Sequence, residues 1–233
     1  MRIDRLLLDI EAQRDFFSPG GSCFEPNSSA AARNIRRLYD WAQKQQVLAI
    51  SVMLRVPPGK RGPLAGVPHC VEGTPGEQRI SGALLANHIN LGLRGSTDLP
   101  RNLLEQYQQV IFESRFTNIF QHPRIERLLT ELEAETFIVC GAGSAHGILE
   151  AVVGLRSRGF KVILVADAIL DLEDPDAEMA WLRMTAKSAV PLSTEEVLAL
   201  PPPQRSKHYA SLLDELRKER QVRQHRHKVL TED

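Results

Sequence analysis

The chain reads as a three-layer, Rossmann-like α/β domain: a doubly wound parallel sheet of about six strands with helices on both faces. Three observations predict it. Short apolar runs of β-formers alternate with segments of helical periodicity along residues 5–200. Residues 136–168 (TFIVCGAGSAHGILEAVVGLRSRGFKVILVADA) hold strand, glycine-rich turn, helix and second strand in one unbroken unit. The 233 residues suffice for one large domain plus a tail, and no internal repeat divides them.

The first strand covers residues 6–10, with Asp9 near the end that delivers side chains to a pocket, and a polar turn leads into Ser18-Pro19-Gly20-Gly21-Ser22. Ser28 is placed to cap a helix whose Ile35, Leu38 and Trp41 share a face. A buried strand follows over 47–54, completing a β-α-β unit. Residues 56–95 are rich in proline and glycine and read as a long structured excursion. Beyond it come a strand over 110–113, a helix over 124–132 and a strand over 137–140. Ile148, Val152 and Leu155 then recur at helical spacing, Gly159 closes that helix, and 162–165 is the fifth strand. A helix over 178–189 precedes a short one from Thr194, which carries the capping pattern Ser193-Thr194-Glu195-Glu196. Pro201, Pro202 and Pro203 end the domain. The predicted boundary lies at 200/201, and 206–229 reads as a polar, basic helix with Leu212, Leu213 and Leu216 on one side.

Lysine plus arginine equals aspartate plus glutamate at 29 each, so no global field draws the chain to polyanions. Its basic tail lacks interleaved aromatics for stacking on bases, and reads as a solvated face rather than a nucleic-acid site. No apolar run approaches the roughly 20 residues of a membrane span, and no signal-peptide core follows the first residues. A cytoplasmic protein is expected. Cys23, Cys70 and Cys140 are odd in number and widely spaced, which argues for free thiols; Cys140 reads as a core residue.

In an open α/β sheet, ligands sit beyond the carboxyl ends of the strands, which puts Gly141 to Gly147 at the mouth of a pocket. The spacing Gly141-x-Gly143-x-x-x-Gly147 imitates a dinucleotide turn, but the acid expected at the end of the next strand is displaced to Asp167, so no cofactor is predicted. Ser144 reads as a capping serine and His146 as a pocket-lining histidine, because residues two apart at a helix start seldom face each other. Glu113 fits a surface acid and a pocket acid equally.

Several strings give the chain a family likeness. They are Leu6-Leu7-Leu8-Asp9 followed by Gln13-Arg14-Asp15-Phe16, then Pro68-His69-Cys70-Val71-Glu72-Gly73-Thr74-Pro75-Gly76, the segment 112–120, the Gly141 turn with its helix, and Val165-Ala166-Asp167-Ala168. With them the chain resembles the isochorismatase-like cysteine hydrolases, the superfamily that includes nicotinamidases, over roughly residues 5–200. The resemblance implies the doubly wound sheet, assembly as dimers or tetramers, and hydrolysis of C–N bonds, or ether cleavage in the isochorismate branch. In the amide branch a cysteine attacks, an aspartate takes its proton, and a lysine beside them supports the thiolate.

Carried over by position, the aspartate falls on Asp9, with Glu11, Gln13 and Asp15 implying a two-residue expansion of the family's tighter spacing. The lysine position, counted back from Phe120 through Asn118, falls on Ser114, and the nucleophile position falls on Gly147. Two of three catalytic groups are therefore missing. Backbone amides around His146 and Gly147 remain as anchors for an anion or carbonyl. Of the family's metal ligands only His69 is present, because the second strand ends Ser51-Val52-Met53-Leu54-Arg55; no metal is predicted. The leading expectation is a catalytically degenerate family member that binds a small molecule or serves as a scaffold. The competing one is a hydrolase in which Asp9 activates water or a displaced nucleophile.

Overall fold

The computed structural model describes residues 2–63 and 67–203, so the predicted basic tail lies outside the described residues. Strand β1 (Arg2–Ile10) occupies the centre of the sheet because its side chains are apolar in both directions. Leu6, Leu8 and Ile10 enter one core, and Leu7 the other. It pairs in parallel with β2 (Leu48–Leu54) on one side and β5 (Glu133–Ala142) on the other. Every residue of β2 is buried, as expected for a strand covered on both faces. Outward from β2 lie β4 (Gln109–Ser114) and β3 (His88–Asn90); outward from β5 lie β6 (Lys161–Leu170) and β7 (Val190–Leu192).

The seven-stranded parallel sheet has the order β3-β4-β2-β1-β5-β6-β7. Two edge strands of three residues escaped the sequence reading. β3 sits inside the proline- and glycine-rich excursion. β7 follows the helix expected to run to residue 189; that helix, α6 (Ala177–Ala186), stops early, and Ser188 turns the chain with φ of 62°. Pro191 is tolerated in β7 because an edge strand leaves one side unpaired.

One face is covered by α1 (Arg14–Phe17), α2 (Ser28–Gln45) and α7 (Thr194–Leu198), which contribute Phe16, Phe17, Ile35, Leu38 and Val197 to the core. The other carries α3 (Leu103–Gln106), α4 (Pro123–Glu131), α5 (Leu149–Ser157) and α6, through residues such as Ile125, Leu128, Val152, Leu155 and Met184. Ser28 is the first residue of α2 rather than its cap, and its hydroxyl accepts the Glu25 N–H at 3.0 Å. At α7 the predicted capping box forms between Ser193 and Glu196. No helix among the described residues is long and apolar enough to cross a membrane.

Strand order reverses between β1 and β5, and this switch point opens the crevice where such sheets bind ligands. The two strand ends are in close contact there: Gly141 has φ of 133°, and a β-carbon on it would overlap the Ile10 carbonyl. Gly141→Ala is therefore expected to cost about 3 kcal/mol or more, from backbone strain plus overpacking. Chemical denaturation would show it. A loss under about 0.5 kcal/mol, the level of an ordinary surface change, would mean that the junction is looser than described.

Candidate functional site

Side-chain direction at the end of β1 organises the crevice. Ile10 points to the α5 face, Asp9 to the α2 face, and Glu11 then leaves the strand in the left-handed region with φ of 55°. The Glu11 N–H still bonds the Val52 carbonyl at 2.8 Å, so this departure is anchored to β2.

Asp9 corrects the first expectation. It is fully buried, and its carboxylate is enclosed on the α2 side of the sheet. Arg79 grips it with two N–H groups, at 3.0 Å to Oδ1 and 3.1 Å to Oδ2. Ser51 donates to Oδ2 at 2.5 Å, and the Tyr39 hydroxyl donates to the same oxygen. Gln109 closes the network by donating to Ser51 at 2.8 Å. Burial, and then the Asp9 charge, hold the Tyr39 phenol well above its usual ionisation range. Both oxygens of Asp9 are thus engaged by other side chains. An aspartate in the middle of an apolar run was a signal that a buried cation would have to meet it, and Arg79 supplies that cation.

The acid facing Gly147 is Glu11. A β-carbon on Gly147 would lie 3.4 Å from Glu11 Oε1, 3.2 Å from the Thr117 carbonyl and 3.1 Å from Ile10 Cγ2. Glu11 is 4% exposed. Burial first, and the Glu150 charge second, push it up from 4.5 to about 8. At neutral pH the group therefore holds its proton. Glu150, in the first turn of α5, accepts the Thr117 hydroxyl at 3.2 Å. Sequence reading missed Glu11 by anchoring on Asp9; Glu11-Ala12-Gln13-Arg14-Asp15 has the tighter acid-glutamine-acid spacing without any expansion.

The remaining predicted residues take the following places. Gln13 donates to the Leu54 and Glu77 carbonyls at 2.8 Å each, pinning the turn to the end of β2. Asp15 accepts the Cys70 N–H at 2.6 Å and the Ser22 N–H at 3.2 Å, and its carboxyl fills the space a side chain on Gly76 would need. Ser114 bonds locally to the Phe116 N–H and carbonyl, and Asn118 caps the short turn at Ile119–Gln121. Glu113 is a pairing acid, bound to Arg55 at 2.6 Å and to Asn90 at 2.8 Å; Arg55 also pairs with Glu77. Gly143, with φ of 77°, starts a wide turn at Ser144–Ile148 in which His146 is non-helical. His146 meets Asp174 at 2.8 Å, an orienting acid not evident in the sequence. Ser144 is buried with its hydroxyl unpartnered, so it does not cap. His69 is buried, its Nδ1 against the Val67 carbonyl at 2.8 Å and its Nε2 unpartnered. Cys140 lies in the core. Among the described residues no cluster of three or more His, Cys, Asp or Glu side chains could hold a metal ion. Two surface clefts, of about 390 Å³ beside α3 and α4 and about 720 Å³ around Asn90–Arg94 and Arg124, include neither Glu11 nor Gly147.

With the site described, its ancestry follows. Residues 5–196 match the isochorismatase domain model, and the chain belongs to the isochorismatase family. Similar solved structures include a nicotinamidase/pyrazinamidase from Bacillus subtilis, 15% identical, which shares 82% of this chain and 100% of its own at a TM-score of 0.62. An isochorismatase family protein from Desulfovibrio vulgaris is 19% identical over 85% of this chain and 100% of its own, with a TM-score of 0.63. N-carbamoylsarcosine amidase from Thermoplasma acidophilum is 13% identical over 82% and 97%, at 0.60. At these identities the likeness is one of fold. No curated protein matches the chain in sequence.

Removing Arg79 would strand the Asp9 carboxylate in the core, so Arg79→Met is expected to cost about 3–5 kcal/mol in chemical denaturation. A cost below about 1 kcal/mol would show the Asp9 charge to be solvated.

Glu11 has the opposite signature. Its folded-state ionisation lies above the unfolded one, so its stabilisation is complete below about pH 4.5 and is lost as pH rises through about 8. The full change is on the order of 5 kcal/mol. Glu11→Gln should flatten the stability profile between pH 5 and 8; an unchanged slope would refute the assignment.

Proposed function

We propose that the protein is a non-hydrolysing member of its family that binds a small molecule beyond the carboxyl ends of β1 and β5, beside Glu11 and Gly147. The supporting observation is the closeness of a buried carboxyl, its ionisation raised by that burial, to a helix start that carries no side chain. Hydrolysis by the family route needs a thiolate at that helix start, and losing a covalent nucleophile removes orders of magnitude in rate. A displaced thiol is poorly suited to replace it. Burial, then the Glu11 and Asp15 charges, push the Cys70 thiol far up. Cys23 is pushed up by burial and, less strongly, by Asp15, Glu11 and Glu25, against a lowering contact from Ser22. Asp9 is unsuited to activate water because both its oxygens are held.

Ligand binding is favoured over a purely structural role by Glu11 itself. Burying a carboxyl costs desolvation free energy, and a structure maintained only as a scaffold gains nothing from keeping it there.

The test is a panel of small amides and activated acyl esters, read by product release and by intact-protein mass. The wild-type protein is expected to show neither turnover nor an acyl adduct. Gly147→Cys, whose backbone lies outside the left-handed region but whose β-carbon would crowd Ile10 at 3.1 Å and the Thr117 carbonyl at 3.2 Å so that these must give by a few tenths of an ångström, is expected to gain an alkylatable thiol. Wild-type turnover that Glu11→Gln abolishes would overturn this reading in favour of a water-based hydrolase.

A further inference from the structure

Arg124 brings a buried charge to the wall of an open cleft. It stands in the first turn of α4 with its side chain 4% exposed, and it lines the cleft of about 720 Å³ beyond the end of the short edge strand β3. That volume lies within the range of small-molecule pockets, and neither Glu11 nor Gly147 belongs to it.

The partners of this guanidinium are unevenly matched. Its Nη1 donates to the Leu91 carbonyl at 2.8 Å, and its Nη2 to Asp98 Oδ1 at 3.0 Å and Ser96 Oγ at 3.3 Å, but its buried Nε–H has no partner. A planar fork of N–H donors suits an oxyanion. Asp98, the carboxylate paired with it, is itself 68% exposed. Hydrogen bonds from Ser96 and then from Arg124 hold Asp98 well below the usual carboxylate range, so it stays ionised. A carboxylate this open to water is weakly held, and another oxyanion can take its place while Arg124 remains paired. Leaving Arg124 with no anion would be costly, because its charge is buried.

The rest of the wall fits an oxyanion carried on an apolar body. Leu91, Leu93, Leu99 and Pro100 line the cleft, and Arg94, exposed, adds a second guanidinium. No side chain caps α4, so the positive end of its dipole adds to the field at Arg124. With Asp98 displaced to solvent, both arginines face the ligand.

We propose that this cleft is a second binding site, which takes a small organic molecule with an apolar body and a carboxylate or phosphate group, the oxyanion replacing Asp98 on the Arg124 guanidinium. Asp98 is then an internal stand-in that keeps Arg124 paired between ligands.

Calorimetric titration of the full chain at pH 7 with benzoate and phenyl phosphate tests this, with benzamide as the neutral counterpart and benzylammonium as the cation. At least one of the anions is expected to bind about tenfold more tightly than benzamide. Asp98→Asn, which removes the competing carboxylate, should tighten that anion by about threefold or more, and Arg94→Ala should weaken it by a similar factor. Glu11→Gln should leave it unchanged. Thermal melts confirm that the variants fold. A purely structural Asp98 predicts the reverse, since losing it would loosen the wall of the cleft and weaken whatever binds. Benzamide or benzylammonium binding as tightly as the anions, an anion that Asp98→Asn fails to tighten or Arg94→Ala fails to weaken, or one that Glu11→Gln weakens, overturns the assignment. So does silence of both anions at millimolar concentration. None of these outcomes bears on the site beside Glu11 and Gly147 except the loss with Glu11→Gln, which would move the anion there.

Discussion

Much of this molecule depends on how β1 ends. Three parallel strands converge at Ile10: its carbonyl is in close contact with Gly141 of β5, and the next N–H is bonded to β2. A strand held on both sides cannot twist away, so the residue after it must turn sharply, and Glu11 does so in a conformation that ordinary residues seldom adopt. Two carboxylates two residues apart consequently lie on opposite sides of the sheet, in different chemical surroundings.

Those surroundings determine what each acid does. Asp9 meets a guanidinium, two hydroxyls and, through Ser51, an amide, so its charge is fully compensated within the core between the sheet and α2. Glu11 lies buried near Gly147, where burial and then the Glu150 charge both favour its protonated form. The same functional group is therefore an ion-pair partner in one place and a proton carrier in the other. That division separates the stability of the fold from the chemistry of the crevice.

The sequence made the central architecture legible because buried parallel strands are continuous apolar runs and their covering helices keep a period of 3.6. The five inner strands and the capping box at Ser193 were readable in this way. The edge strands β3 and β7 were not, since three residues are too few to show a period and Pro191 argues locally against a strand. The vacancy at Gly147 was visible in the motif. The identity of the acid opposite it was not, because Asp9 and Glu11 both stand near the strand end and only the backbone turn assigns them to different faces. Arg79, Tyr39 and Gln109 come from three distant segments, and only the tertiary fold brings them to Asp9 and Ser51.

The claim that matters most is that burial keeps the acid opposite Gly147 protonated at neutral pH. A carboxyl ¹³C titration of protein labelled at glutamate, with Glu11 assigned by comparison with Glu11→Gln, measures it directly. The account predicts a midpoint near pH 8. A midpoint near pH 4.5, the ordinary value for glutamate, would contradict it.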